Sequence, residues 1–595
     1  MINSLLRGLI GLVVAVTPTS LMAQQAKVGQ DYDLRALPKW DVAALGSGAF
    51  GERHNLYTGE TEFFTTDVSV PGNNGLEVAV HRRLRKEWGK DNYLLGDWEL
   101  EFPRLVGIFA SGGWQVSTPG FPNQRCSVNR QNFIQATPPN AFGTSAGAQP
   151  ANFGFSSAEY WYGNDLHLPG AGDQRMLVLT AENTSFNHGA YYWITSGNWV
   201  FSCLPNTANG KPGEAFLARS PNGHTYRFDW VVENAYKHIE KSAGNGIYHL
   251  TSRLARKKVM FYPTEVTDEN GNWVRYHFNS SNQLTSISAS DGRLIELSYN
   301  NSRLSAVSAA GRTWIYNYFT NPNGTGTSLS EVVLPDQSRW IFNLPLSGYE
   351  VGYGLGATNC ADPPNPLLGY PMQGYIIHPS GLRGDFHFIK RSHGRTHAPR
   401  QCITDGYGTS FIQDPDRYPV VSLTKKDLSG PGIPTYSWDF DYGWSFNYSS
   451  LTSGYVSDCA NQACPQTRVV TISKSDGTWE KRTFSSVFGD TEGFLISSEI
   501  GEGATMLQQE VISYNTDPNQ VFPVVYGRDP CHRCHRSHER VIPVRQRRIE
   551  QQGRYFYWQA STFDAFARPV EVVKHSTPSA TQPPPSPPMI PGGSP

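Results

Sequence analysis

Asp268-Glu269-Asn270-Gly271-Asn272-Trp273-Val274-Arg275-Tyr276-His277-Phe278 and Asp291-Gly292-Arg293-Leu294-Ile295-Glu296-Leu297-Ser298-Tyr299 both open on a turn glycine. Each then continues with an apolar or aromatic residue at every second position: Val274, Tyr276 and Phe278 in the first, Ile295, Leu297 and Tyr299 in the second. Period two is the pattern of a strand with one buried face. Arg275, His277, Glu296 and Ser298 fill the alternate positions and are expected to stay wet. A second apolar segment follows each ladder, Leu284 with Ile287 and Leu304 with Val307, so each unit reads as a two-stranded hairpin. Gly271, Gly292 and Gly311 lie 21 and 19 residues apart, a spacing typical of stacked supersecondary units. One hairpin alone is marginal in water, so these strands need neighbours.

The same ladder recurs outward from this stretch. Gly223 precedes Tyr226, Phe228 and Trp230, and Gly311 precedes Trp314, Tyr316 and Tyr318. Gly381 precedes a weaker version at Gly384, Phe386 and Phe388, and after Gly477 only Phe484 remains. The predicted buried repeat face is therefore Tyr226, Phe228, Trp230, Tyr276, Phe278, Tyr299, Trp314, Tyr316 and Tyr318, with Arg227, Asp229 and Asn317 opposite. Across 595 residues, 57 Gly, 41 Pro and 12% aromatics accompany repeated Asn-Gly and Asp-Gly turn pairs, and helical periodicity is hard to find. The predicted class is all-β: an extended, curved antiparallel sheet of stacked hairpins forming a shell or partial barrel, with an additional β-rich N-terminal region.

The Asp-Gly-Arg opening, the strand ending on an aromatic and the following Leu-x-x-Ile/Val resemble YD repeats of the Rhs type. A degenerate copy stands at Phe563-Asp564-Ala565-Phe566-Ala567-Arg568-Pro569. His54-Asn55-Leu56-Tyr57-Thr58-Gly59 and Asp67-Val68-Ser69-Val70-Pro71-Gly72-Asn73-Asn74-Gly75-Leu76 look like the segment that precedes the repeats in such proteins. The naming Tyr-Asp pair is replaced here by Tyr299-Asn300 and Phe278-Asn279. The resemblance implies a hollow β-shell. The Asp-Pro-x-Gly-rich core motif and the effector domain of toxin-carrying members are not visible, so cargo cleavage and toxicity are not carried over.

The expected organisation is a signal peptide at 1–23, a YD-type leading segment at 24–110, a Gly/Pro-rich β region at 111–215 and repeat-like hairpins at 216–345. A loop-rich β region at 346–440, further hairpins at 441–573 and an unpacked Pro-rich tail at 574–595 follow. Arg7, the apolar run Leu9 to Val16, Pro18 and Ser20-Leu21-Met22-Ala23 form the secretory signature. That run is shorter than the roughly 20 residues of a membrane span, and no later stretch qualifies. The expected location is secreted, periplasmic or cell-surface, through a cleaved signal peptide. In an oxidising compartment eight cysteines read as disulfides. Chain order suggests Cys126 with Cys203, Cys360 with Cys402, Cys459 with Cys464 and Cys531 with Cys534, although sequence does not fix connectivity.

A formal net charge of −1 with 17% charged residues gives no field for nucleic acid or an anionic membrane. Cys531-His532-Arg533-Cys534-His535 fits the haem-attachment pattern, yet it sits among arginines with no helical apolar pattern for a haem pocket, and a short-loop disulfide is favoured. His387, His393 and His397 read as solvated loop histidines more readily than as metal ligands. Arg533, Arg536, Arg540, Arg545, Arg547 and Arg548 form a stripe best read as a solvated strand edge. Short motifs for metalloprotease, hydrolase or nucleotide chemistry are absent. No catalytic, cofactor-binding or metal residue and no cofactor is assigned. The sequence points to a non-catalytic structural or interaction protein, partnered by a glycan, a cell-envelope component or a separately encoded shell or cargo protein. A carbohydrate- or envelope-binding protein using exposed aromatics, and a haem or glycan-active enzyme, stay open as alternatives.

Overall fold

The computed structural model describes residues 48–85, 92–110, 125–127, 141–142, 163–178, 191–195, 197–244, 249–320, 326–344, 371–397, 402–404, 410–412, 417–443, 465–488, 491–517, 520, 542–564 and 567–579. The protein is all-β, and the described residues contain no α-helix. The signal peptide and Cys360, Cys459, Cys464, Cys531 and Cys534 lie outside the described residues, as does all but the start of the tail.

Three antiparallel assemblies share the chain. An inner sheet of four strands comes first: β1 (Glu52–His54), β2 (Thr61–Ser69), β3 (Ala79–Leu84) and β4 (Glu99–Glu101). An eight-stranded barrel follows, built from β5 (Arg104–Ala110), β7 (Asn164–Leu168), β8 (Gly172–Val178), β9 (Trp193–Thr195), β10 (Val200–Leu204), β11 (Ala215–Arg219), β12 (Thr225–Gly244) and β13 (His249–Thr267). It closes where β13 pairs back with β5, and the short β6 (Ala141–Phe142) also pairs with β13. β5 therefore belongs to the barrel. β10 and β11 are neighbours in one barrel wall.

From the far end of β13 a ribbon of hairpins runs on. Its first part is β14 (Trp273–Phe278), β15 (Leu284–Ala289), β16 (Leu294–Asn300), β17 (Arg303–Ala309), β18 (Arg312–Thr320), β19 (Thr327–Val333), β20 (Arg339–Asn343), β21 (Pro371–Ile377) and β22 (Arg383–Gly394). A separate pair, β23 (Cys402–Thr404) and β24 (Ser410–Ile412), intervenes. The ribbon resumes with β25 (Arg417–Gly430), β26 (Ile433–Asp441), β27 (Thr467–Lys474), β28 (Thr478–Ser485), β29 (Leu495–Glu502), β30 (Thr505–Tyr514), β31 (Val544–Gln551), β32 (Arg554–Phe563) and β33 (Pro569–Pro578). Its far end returns to the barrel, where Arg568 donates to Asn198 at 3.2 Å. Long strands occupy Pro371–Ile377, Arg383–Gly394, Arg417–Gly430 and Ile433–Asp441. β33 pairs with β32 as far as its end, with Lys574 to Thr577 opposite Tyr555 to Trp558.

The ladder residues divide between two cores. Phe228 lies in the barrel interior with Phe201, Phe216 and Phe261, whereas Trp230, Tyr276, Phe278, Tyr299, Trp314, Tyr316 and Tyr318 pack against the inner sheet. Tyr226 touches both. Asp229, expected to be wet, is buried between Arg227 (3.0 Å) and Thr264 (2.5 Å), because two register shifts in β12 turn it inward. The outer face of the ribbon carries cross-strand ion pairs such as Arg275–Glu265 and Arg339–Glu331.

Four of these strand pairs carry a β-bulge at one place, next to Phe278, Tyr299, Tyr318 or Phe388. The extra residue is Thr285, Ser305, Ser330 or Thr424. Its hydroxyl donates back across the pair, at 3.0–3.1 Å, to the carbonyl of His277, Ser298, Asn317 or His387. The aromatics supply the link between units: Tyr299, Tyr318, Tyr442 and Tyr514 donate their hydroxyls to the carbonyls of Leu284, Leu304, Leu423 and Leu495 at 2.6–3.0 Å. A tyrosine at this position thus fills the core and also satisfies a backbone acceptor of the preceding hairpin.

Candidate functional site: the seam between inner sheet and ribbon

The bulges that bend the ribbon leave backbone donors outside its ladder, and the leading segment meets them. The Leu304 amide donates to the Leu94 carbonyl (2.8 Å), the Leu423 amide to Gly59 (3.0 Å) and the Leu329 amide to the Asp97 carboxylate (2.7 Å). A buried amide left without a partner costs about 1–3 kcal/mol, so these contacts fix where each hairpin sits.

Both motifs singled out in the leading segment lie on this seam. Asn55 closes a turn by accepting the amides of Tyr57 (3.0 Å) and Thr58 (3.2 Å). That turn presses Gly59, at φ +82°, against β25, where an added Cβ would come within 2.4 Å of Ser422. Ser422 and Arg391 both donate to the Thr58 carbonyl. The loop Val70 to Leu76 is gripped by the Asp-Gly-Arg turn between β15 and β16. Arg293 donates to the carbonyls of Val70 (3.2 Å) and Leu76 (2.9 Å) and to Asn74 (2.9 Å), while Asp291 accepts from Asn73 and Asn74. A Cβ at Gly72 would lie 2.3 Å from the Arg293 guanidinium carbon. The hydrogen bond from Arg293 holds the Asp291 carboxyl below its ordinary range.

Buried charges line the remainder of the seam. Arg82 is fully enclosed, with Nε on Asp67 at 2.8 Å and its guanidinium 4.4–5.2 Å from the ring centroids of Trp98, Trp340 and Phe342. Tyr316 donates to the same Asp67 at 3.0 Å. Glu52 pairs with Lys426, whose ammonium sits 4.5 Å from the Trp438 ring centroid and is lowered in pKa by burial. Removal from water, with the Lys426 charge adding, pushes the neighbouring His54 imidazole down to about 3. Toward the barrel, Glu101 meets Arg83 (2.8 Å), Arg104 (3.1 Å) and His167, and His167 meets Asp173 (2.5 Å). Burial alone would raise the Glu101 carboxyl, but Arg104, His167 and Arg83 hold it well below the carboxylate range.

The predicted histidine group separates. His393, expected in solvent, is fully buried in β22, edge-on to Tyr57 and 2.7 Å from an Arg468 donor, whereas His387 sits beside Asp427 on the half-exposed face. Among the described residues no three His, Cys, Asp or Glu side chains converge to hold a metal ion. Cys126 and Cys203 are bonded, and Trp193 and Glu214 hold the Cys126 backbone in place. Only the strand placement of Cys402, in β23, is described. Arg547 and Arg548, read as a solvated edge, lie in β31, where Arg548 is buried. The sequence reading missed Arg82, Lys426 and Arg468, whose only signal was a cation at an inward-facing strand position.

No family model and no curated protein matches the chain. Among solved structures it is similar in part to the crystal structure of TcdB2-TccC3 without its hypervariable C-terminal region, at 8% identity and a TM-score of 0.15. A second similarity is to the TcdB2-TccC3-Cdc42 structure, at 9% identity and a TM-score of 0.13. In both, the match covers 68% of this chain and 24% of the other, so the chain spans about a quarter of those chains. Among the described residues no helix is long and apolar enough to cross a membrane.

Proposed function

We propose that this is an exported, non-catalytic scaffold of the YD-repeat kind, in which a hairpin ribbon is moulded on an inner sheet supplied by the same chain and presents or encloses a partner outside the cytoplasm. The observation that carries the reading is the seam itself. Amides that the bulges withdraw from the ribbon are met by Gly59, Leu94 and Asp97, and the buried carboxylates there, Glu52, Asp67 and Glu101, are each held by a cation. These amides and carboxylates of the inner face are thus engaged in docking. The signal-peptide pattern and the Cys126–Cys203 bond both fit an oxidising compartment. The partner is a separately encoded shell or cargo protein, or an envelope component.

The test is to replace both close-approach glycines, Gly59→Val and Gly72→Val, and to follow amide hydrogen exchange strand by strand. The scaffold reading expects β14 to β28 to lose protection together with β1 to β4. A ribbon that keeps its protection while the inner sheet exchanges freely would make the inner sheet a removable lid and overturn the reading.

A further inference from the structure

Pro263 opens a gap in the wall. It has no N–H to give, and register shifts flank it where β12 passes opposite. β13 pairs with β14 only through Glu265 to Thr267 and with β5 only through Arg256 to Phe261. Residues 262–264 join neither neighbour, and β14 diverges beyond Arg275. The fork leaves a cavity of 480 Å³, within the size range of small-ligand sites.

Its lining divides by chemistry. Trp230 and Phe278 form the floor, their rings stacked at 5.3 Å and 28°, with Trp230 held by a 3.0 Å hydrogen bond to Asn282. The rim is charged but internally neutralised: Arg275 pairs with Glu265 at 2.7 Å, and Arg227 pairs with Asp229 at 3.0 Å. Arg275 is also stacked on Trp273 at 4.1 Å, which fixes its direction. Each guanidinium carries five donors, of which these pairs use one or two, so donors remain for a ligand. His277 completes the rim, with Nε2 on Ser288 at 2.9 Å.

We propose that this fork is a binding site for a neutral sugar, one or two pyranose rings of a glycan chain. A pyranose offers a face of weakly positive C–H groups to the negative face of an aromatic ring, and adjacent hydroxyls that both donate and accept. Stacked rings flanked by arginine–carboxylate pairs supply both complements. An anion would have to outbid the carboxylates already on the arginines, and an apolar ligand would strip water from the charged rim without replacing its hydrogen bonds. The site goes beyond the scaffold reading and stands whether or not that reading holds.

The test uses the full exported chain with neutral trisaccharides of glucose, galactose, mannose and N-acetylglucosamine, and inorganic phosphate as the anionic comparison, followed by saturation-transfer NMR and tryptophan fluorescence. At least one neutral sugar is expected to bind saturably. Arg275→Ala, a change at an exposed side chain, should weaken it about tenfold or more with an unchanged melting temperature. Trp230→Leu should abolish the fluorescence response. No saturable binding by any neutral sugar, binding indifferent to Arg275→Ala, or binding of phosphate alone would each overturn the proposal.

Discussion

The barrel and the ribbon solve one problem in different ways. The barrel closes on itself: β5 meets β13, and its interior is a self-contained apolar cluster around Trp193, Phe201, Phe216 and Phe261. The ribbon gains no closure from its own hairpins. Its inward aromatics are covered by the inner sheet, and that contact carries buried ions such as Arg82 with Asp67 and Lys426 with Glu52. Buried ion pairs add little net stability over apolar packing but are costly to leave half-broken, so they penalise misplacement strongly. Closure gives the barrel a core of its own, tied to the inner sheet at one cluster where Arg104 and His167 meet Glu101, whereas the ribbon depends on that sheet along its length.

Breaking the seam at its centre should have the largest effect. Arg82→Ala strands Asp67 and should cost about 3–5 kcal/mol. Hydrogen exchange is expected to rise across β16 to β20, which border Tyr316, Trp340 and Phe342, while β9 to β11 keep their protection. Equal loss in the barrel would show that the two regions do not differ as described. Acid should act next. His54 in the folded chain titrates near 3 rather than 6.5, so the unfolded chain takes up its proton first. Stability from this group is complete above about pH 6.5 and declines as the pH falls toward 3. Glu101 and Asp173, both lowered in the folded chain from 4.5 and 3.8, add their loss in the more acid part. Melting temperature against pH should therefore fall from pH 6.5 downward, and His54→Gln should flatten the upper part of that fall only. The smallest effect sharpens the comparison within the ribbon. Thr424→Val removes a bulge hydroxyl while keeping the side-chain shape and should cost about 1 kcal/mol, read as a shift in denaturant midpoint. No shift would mean that the hydroxyl merely accompanies the bulge.

The ladder was legible because period two is a local property: Val274, Tyr276 and Phe278 state their face without knowing their neighbours. The barrel was not legible, because its closing pair joins Leu105 to Phe261, and nothing in a short run such as Arg104–Ala110 names that partner. Asp229 was misread for a related reason, since the shifts that bury it flank the pairing of Phe228 with Pro263 and do not follow from its own alternation. The repeated Leu-Thr and Leu-Ser pairs at 284, 304, 329 and 423 were in plain view, but a bulge hydroxyl gains meaning only when the opposite strand is known. At the seam, the turn motifs at residues 54–59 and 70–76 stood out by composition. Their receptors, more than two hundred residues later at Arg293 and Ser422, did not.

The position of the inner sheet ahead of the ribbon in the chain has a consequence for how the molecule is made. A polypeptide emerges from its N-terminus onward, and residues 48–102 are free before β14 exists. Each hairpin that follows therefore meets partners already synthesised, among them Leu94, Asp97 and Gly59 for its bulge amides. A circular permutant that delivers the inner sheet last would have the same contacts to make and no mould to make them on.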